Sequence, residues 1–202
     1  KKNKGHARCI AAGLKYISEK EKFDFVIPMD GDGEDRPSEI GPILCKGYDN
    51  PGRVINVASS AHRGAKLDLN DIQMRNNYRG WTAYSNSKLM NILYTYEIHR
   101  RFKDTGITFN CLHPGFVDSN FGENNSGFAR KVLNVSKSLL AINVVKGART
   151  SVYLATSDYV NAISGKFFIK CKEVSSSKVS YLGKNQSQLW TLSEDALQKV
   201  RD

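Results

Sequence analysis

Several features that would announce a function by themselves are missing from this sequence. No apolar run approaches the roughly 18 residues needed to cross a membrane, so a transmembrane segment is excluded. No basic-then-apolar leader precedes the first helical pattern; the sequence opens Lys1-Lys2-Asn3-Lys4-Gly5, and no secretory signal is expected. Cysteine is scarce. Cys9, Cys45, Cys111 and Cys171 are scattered without a C-x-x-C pair, which excludes a disulfide scaffold and fits thiols in a reducing compartment. His6, His62, His99 and His113 form no H-E-x-x-H pattern, so no zinc centre is expected. Nor does any strand run into Gly-x-Gly-x-x-Gly. Gly31 and Gly33 imitate its first two glycines, but Arg36 stands where the third belongs. Acidic residues are the scarcer charge, 20 against 30 Lys plus Arg over 202 residues. The deficit is local: residues 1–50 carry 9 of each sign, so the whole net charge of +10 falls after position 50. That asymmetry marks a boundary between two regions. No basic-aromatic motif accompanies the charge, so a specific nucleic-acid site is not expected.

What remains describes a soluble α/β protein. Hydrophobic residues make up 40% and charged residues 25% of the chain, a globular balance. Ala7, Ile10, Ala11, Leu14 and Ile17 recur at helical spacing. Phe23–Met29 reads as a strand stopped by Asp30-Gly31-Asp32-Gly33, and Pro37 opens a short helix. The turn-rich Gly47–Gly52 is the junction. Beyond it the pattern predicts a mostly buried strand at Arg53–Ala58, a helix from about Ala83 to Phe102, and a strand at Ile107–Leu112. A basic amphipathic helix over Phe128–Ile142, a helix at Gly147–Ala155, a strand at Lys166–Ile169 and a helix at Gln186–Val200 follow. Alternating strands and helices predict a parallel sheet with flanking helices.

Three segments after the junction carry chemistry: Asn56-Val57-Ala58-Ser59-Ser60-Ala61-His62 at a strand end, Tyr84-Ser85-Asn86-Ser87-Lys88-Leu89-Met90-Asn91 on the long helix, and His113-Pro114-Gly115-Phe116-Val117-Asp118-Ser119 after the next strand. Tyr84 and Lys88 are four residues apart and share a helix face. An ammonium beside a phenol favours the phenolate, which suits a phenol to exchanging a proton near neutral pH. In this order and context, residues 51–202 resemble the C-terminal part of a short-chain dehydrogenase/reductase, closest to the retinol-dehydrogenase-like branch. The resemblance implies a partial Rossmann-like fold lacking its glycine-rich first half, NAD or NADP as cofactor, and an apolar alcohol or carbonyl as the small-molecule substrate. It assigns Tyr84 as acid/base, Lys88 to the nicotinamide ribose, and Ser59, with Ser60 as the alternative, to the substrate oxygen. Pro114, Gly115, Val117 and Ser119 match positions along the nicotinamide and pyrophosphate, although a serine after a turn also serves as a helix cap. His113 is expected to be a packed strand-end residue.

Residues 3–44 resemble a different family. Asn3-Lys4-Gly5-His6-Ala7-Arg8, Gly13-Leu14 and Phe25–Pro37 are similar to an internal piece of a family 2 glycosyltransferase of the dolichyl-phosphate mannose synthase kind. There, Asp30 and Asp32 match the Asp-x-Asp that binds Mg²⁺ or Mn²⁺ bridging a sugar-nucleotide diphosphate, a chemistry suited to hard cations and carboxylate oxygens. The expected organisation is a glycosyltransferase-like piece at 1–47 joined to a dehydrogenase-like part at 48–202. Three functions follow: an NAD(P)-dependent oxidoreductase, a metal-dependent nucleotide-sugar binder, or a non-catalytic chimeric fragment. A cytoplasmic location is expected, with association to a membrane surface through the basic helix as the alternative. An open sheet edge would also favour self-association.

Overall fold

The computed structural model describes residues 52–115 and 144–201. The expectations for the glycosyltransferase-like head, including Asp30 and Asp32, for Val117 and Ser119, and for the basic helix at Phe128–Ile142 lie outside the described residues. Within them the chain runs β1 (Arg53–Val57), α1 (Gly80–Arg101), β2 (Thr108–His113), α2 (Val144–Thr156), β3 (Lys166–Ile169), β4 (Lys172–Glu173) and α3 (Gly183–Arg201). A 3-10 turn at Ser60–Gly64 follows β1. The four strands form one sheet in the order β1-β2-β3-β4, parallel through β3 and closed by antiparallel β4. This is the expected parallel sheet with flanking helices, with one short antiparallel strand added.

Side-chain alternation along the strands divides the core into two layers. On one face Val54, Phe109, Cys111 and Phe167 meet α1 and α3, through Ile92, Tyr96, Ile98 and Trp190. On the other, Ile55, Leu112 and Phe168 pack with Tyr153 and Leu154 of α2. The register pairs Cys111 with Phe167 and Leu112 with Phe168, so each face is continuous from strand to strand. β2 is buried at every position but its last, as a strand covered on both faces must be. β1 differs from its expectation: it is half-buried, and Val57 is 41% exposed. Among the described residues only β2 pairs with it. The Gly52 carbonyl and the Ala58 N–H bond to β2, so by alternation Arg53, Ile55 and Val57 turn their peptide groups to the other edge.

α1 starts ahead of the expected Ala83. Its last turn carries Arg100 and Arg101, positive charge placed at the negative end of the helix dipole. Gly106, at φ 76°, then supplies the left-handed turn into β2. Arg53 ties the start of β1 to the end of α2, donating to the carbonyls of Leu154 (3.0 Å) and Ser157 (3.1 Å). Asn110 bridges β2 to β3, donating to the Ile163 carbonyl (2.6 Å) and accepting from the Lys166 N–H (3.1 Å). At the carboxyl ends the backbone itself does the joining, with Val57 in register with Leu112 and the Ala58 N–H bonded to the Leu112 carbonyl at 2.8 Å, and that is where the chemically equipped segments converge.

Candidate active site at the carboxyl end of the sheet

α1 crosses the sheet so that its N-terminal half lies against the end of β1. The Lys88 Nζ donates to the Val57 carbonyl at 3.3 Å, and the Asn91 amide donates to the same oxygen at 3.3 Å. That carbonyl belongs to the edge of β1 turned away from β2, which leaves it available to α1. One turn further along, the Asn56 amide donates to the Thr95 hydroxyl at 2.8 Å, and that hydroxyl donates to the Asn91 carbonyl at 2.7 Å. A ladder of polar side chains therefore stitches the strand end to the helix and fixes the helix rotation that Tyr84 and Lys88 share.

Tyr84 and Lys88 do lie together: the ammonium nitrogen stands 5.7 Å from the centre of the Tyr84 ring. Trp81, one turn earlier, leans over the same ring with centroids 5.7 Å apart, and is itself 60% exposed. Asn86 points into the protein and makes a backbone-like pair with Lys66, accepting from its N–H (2.8 Å) and donating to its carbonyl (3.3 Å). This pins the segment that leads from β1 to α1.

Ser59 is buried and stands just before the 3-10 turn. Its backbone is extended and its Oγ accepts the Ala61 N–H at 3.2 Å. Because the oxygen is used as an acceptor there, the hydroxyl proton is left to donate elsewhere. Ser60, the alternative, begins the turn and is half-buried. His62, three residues on, is 1% exposed. Its Nδ1 lies 2.6 Å from the Ser59 carbonyl, and its Nε2 accepts the Ser177 N–H at 3.0 Å. Pro114 and Gly115 follow β2 at the same end of the sheet, with Gly115 at φ 93°. His113 is the half-buried last residue of β2, as its sequence position implied.

Sequence reasoning did not assign roles to Asn91, Asn86 or His62. The signal for Asn91 was present, since it lies three residues after Lys88 on the same helix face. Nothing local pointed to His62, because its second partner is 115 residues away. No group of three or more metal-ligating side chains occurs among the described residues.

Burial lowers the pKa of both histidines. His113 is carried down to about 4, mainly by desolvation, with neighbouring His62 adding to it; for His62 desolvation dominates over the opposing bond to Ser59. The unfolded chain takes up these protons near 6.5 and the folded chain does not, so both groups contribute stability that is complete above that pH. It diminishes as the pH falls, and the His113 share continues to be lost down to about pH 4. The urea midpoint is expected to drop between pH 7 and pH 4.5, less steeply in His113→Asn; an equal slope in both would contradict this.

The chemistry of the donor set fits a nicotinamide ribose. An ammonium and a phenol stand at the carboxyl ends of parallel strands, where ligands collect in open α/β sheets, and a positive-φ glycine follows the neighbouring strand. Comparison with known proteins agrees with the fold. The chain is 34% identical to human retinol dehydrogenase 14 over 146 residues, 71% of this chain and 44% of that one. It is 34% identical to human retinol dehydrogenase 12 over 147 residues, 73% and 46%. It is 31% identical to the WW domain-containing oxidoreductase of Drosophila melanogaster over 159 residues, 76% and 39%. A solved structure of an uncharacterized Mycobacterium paratuberculosis protein superposes with a TM-score of 0.53 at 27% identity, covering 72% of this chain and 50% of that one. No family model matches the sequence. The chain spans a little under half the length of the retinol dehydrogenases it matches. Over about seven-tenths of its own length, it is homologous to the retinol-dehydrogenase-like short-chain dehydrogenase/reductases.

Proposed function

We propose that residues 48–202 form the acid–base and nicotinamide-side part of an NAD(P)-dependent short-chain oxidoreductase acting on an apolar alcohol or carbonyl, and that residues 1–47 are a separate glycosyltransferase-like piece. The observation that carries the reading is the pairing of Tyr84 with Lys88 at the end of β1, with Lys88 and Asn91 sharing the Val57 carbonyl. The cofactor, when bound, supplies or accepts the hydride. The rest is work for this chain. The Tyr84 hydroxyl donates its proton to the oxygen of a carbonyl substrate as that oxygen gains charge, or takes it from an alcohol in the reverse direction. The Lys88 ammonium stabilises the phenolate that results and holds a ribose hydroxyl. The Ser59 hydroxyl donates a hydrogen bond to the same substrate oxygen and holds it within reach of Tyr84. Pro114 and Gly115, with Val117 and Ser119 by the family resemblance, match the nicotinamide and pyrophosphate side. Trp81, exposed beside Tyr84, gives the substrate face an apolar wall.

Cofactor binding is the first test. NADPH is expected to bind the purified chain saturably, as read by energy transfer from tryptophan to nicotinamide. Lys88→Ala is expected to weaken binding by about tenfold, the loss of a charge-assisted hydrogen bond. No saturable binding at millimolar NADPH would overturn the proposal.

A further inference from the structure

His62 is the most completely buried titratable ring in the described structure, and the chemistry assigned to Ser59, Tyr84 and Lys88 makes no use of it. Its two ring nitrogens are committed in opposite senses. The Ser177 N–H is a donor only, so Nε2 must be the unprotonated acceptor. Nδ1 therefore carries the proton and donates it to the Ser59 carbonyl. That carbonyl also accepts the His62 backbone N–H at 3.2 Å, closing the first turn of the 3-10 segment. One flank of the imidazole meets Phe167 edge-on, with centroids 5.1 Å apart and planes at 74°.

The far end of this strut is held as firmly as the near end. The Ser176 hydroxyl lies 2.8 Å from the Tyr96 hydroxyl and 2.6 Å from that of Ser180, whose own proton goes to the Ser177 carbonyl at 2.6 Å. Tyr96 belongs to α1 and stacks on Tyr181 at 5.3 Å. The segment at 176–181 is thus anchored to the same helix that carries Tyr84 and Lys88. A rigid path runs from α1 through Tyr96, Ser176–Ser177 and the His62 ring to the backbone of Ser59.

We propose that His62 is a positioning residue that fixes the direction of the Ser59 hydroxyl by clamping the Ser59 carbonyl to the segment at Ser177. The Ser59 Oγ is aimed by its bond to the Ala61 N–H, in the same turn that the two bonds to the Ser59 carbonyl close. The imidazole is 1% exposed with both nitrogens committed to backbone groups, so its effect is exerted through Ser59. The catalytic meaning of the clamp rests on the oxidoreductase reading, whereas the clamp itself does not.

The test has two independent readouts on the full chain. First, ¹⁵N NMR of the imidazole at pH 7.5 is expected to show one tautomer, protonated at Nδ1. Amide exchange at Ala61 and Ser177 is expected to quicken by about tenfold in His62→Ala, the loss of one hydrogen bond at each end. A protonated Nε2, or unchanged exchange at Ala61, overturns the clamp whether or not the chain turns over substrate. Second, with NADPH and an apolar aldehyde, His62→Ala is expected to lower kcat by about tenfold and leave the KM for NADPH unchanged. His62→Asn, whose amide can replace the Nδ1 donor, is expected to recover most of that kcat while exchange at Ser177 stays fast. Equal kcat in all three proteins would overturn the positioning role even if the clamp is found. Should His62→Ala not fold, His62→Gln takes its place, since its longer amide reaches toward Ser177 and not the Ser59 carbonyl, and the same tenfold loss of kcat is expected, with His62→Asn restoring it; equal kcat would overturn the positioning role. Absence of turnover in the unmodified chain counts against the oxidoreductase reading and leaves the clamp to the first readout.

Discussion

Tyr84→Phe is expected to lower kcat for NADPH-dependent carbonyl reduction by about 10²- to 10⁴-fold, the range spanned by losing a positioned acid or base. The substitution removes one oxygen and keeps the ring. The ring keeps its contact with Trp81 and with the Lys88 ammonium, so neither the helix nor the strand end has reason to move. Lys88 also keeps its bond to the Val57 carbonyl. NADPH affinity is therefore expected to stay within about threefold of the unmodified chain, and the loss to fall on kcat rather than KM. Steady-state kinetics with an apolar aldehyde separates the two parameters. A fall in cofactor affinity with kcat preserved would mean that the phenol binds rather than reacts. An unchanged kcat would remove Tyr84 from the chemistry.

Phe167→Ala has the largest expected effect on stability, a loss of about 3–5 kcal/mol. Phe167 is 1% exposed and stands on β3 where three elements meet: Ile92 and Tyr96 of α1, Cys111 of β2, and Ala58 beyond the end of β1. Its register partner is Cys111, itself fully buried, so neighbouring side chains have little freedom to close the space left by the ring. The same ring supports His62, which connects the effect to the site: the Ser59 turn should loosen as well as the core. Tyr159, 88% exposed, is the matched control, and its replacement by alanine should change stability by less than about 0.5 kcal/mol. Urea unfolding of both variants measures the difference. A small loss for Phe167→Ala would show that the layer between α1 and the sheet is not the principal core.

How much of this was legible in the sequence varied with the range of the interactions. β3 was read at its true bounds because Lys-Phe-Phe-Ile is a short apolar run between turn residues. α1 was found from its apolar spacing, but its start at Gly80 was missed: Arg79 offers no side-chain cap to mark it. β4 was missed altogether. It has two exposed polar residues, Lys172 and Glu173, and pairs with β3 only because Lys170 and Cys171 adopt positive φ, a conformation uncommon for such residues. β1 was expected to be mostly buried from its apolar run, yet its burial depends on neighbours that composition does not reveal.

The site divides along the same line. Tyr84, Lys88 and Asn91 are related by helix periodicity, so their common face could be deduced before any coordinates. The role of the Val57 carbonyl could not. A backbone oxygen carries no sequence signature, and its availability follows from which edge of β1 faces β2. His62 lay in view beside Ser59 but without its partner, since the Ser177 N–H comes from the far end of the fold. Short-range chemistry was readable; the long-range bonds that hold it in place were not.

As proposed, Tyr84 moves a proton while hydride passes between a nicotinamide and a carbonyl carbon. The most direct test is deuterium transfer from C4-labelled NADPH to an apolar aldehyde, with the alcohol product analysed by mass spectrometry. One deuterium is expected on the carbinol carbon of the product, formed by the unmodified chain and lost in Tyr84→Phe. Saturable binding of NADPH and aldehyde with no labelled alcohol, or labelled alcohol formed equally well by Tyr84→Phe, would contradict it.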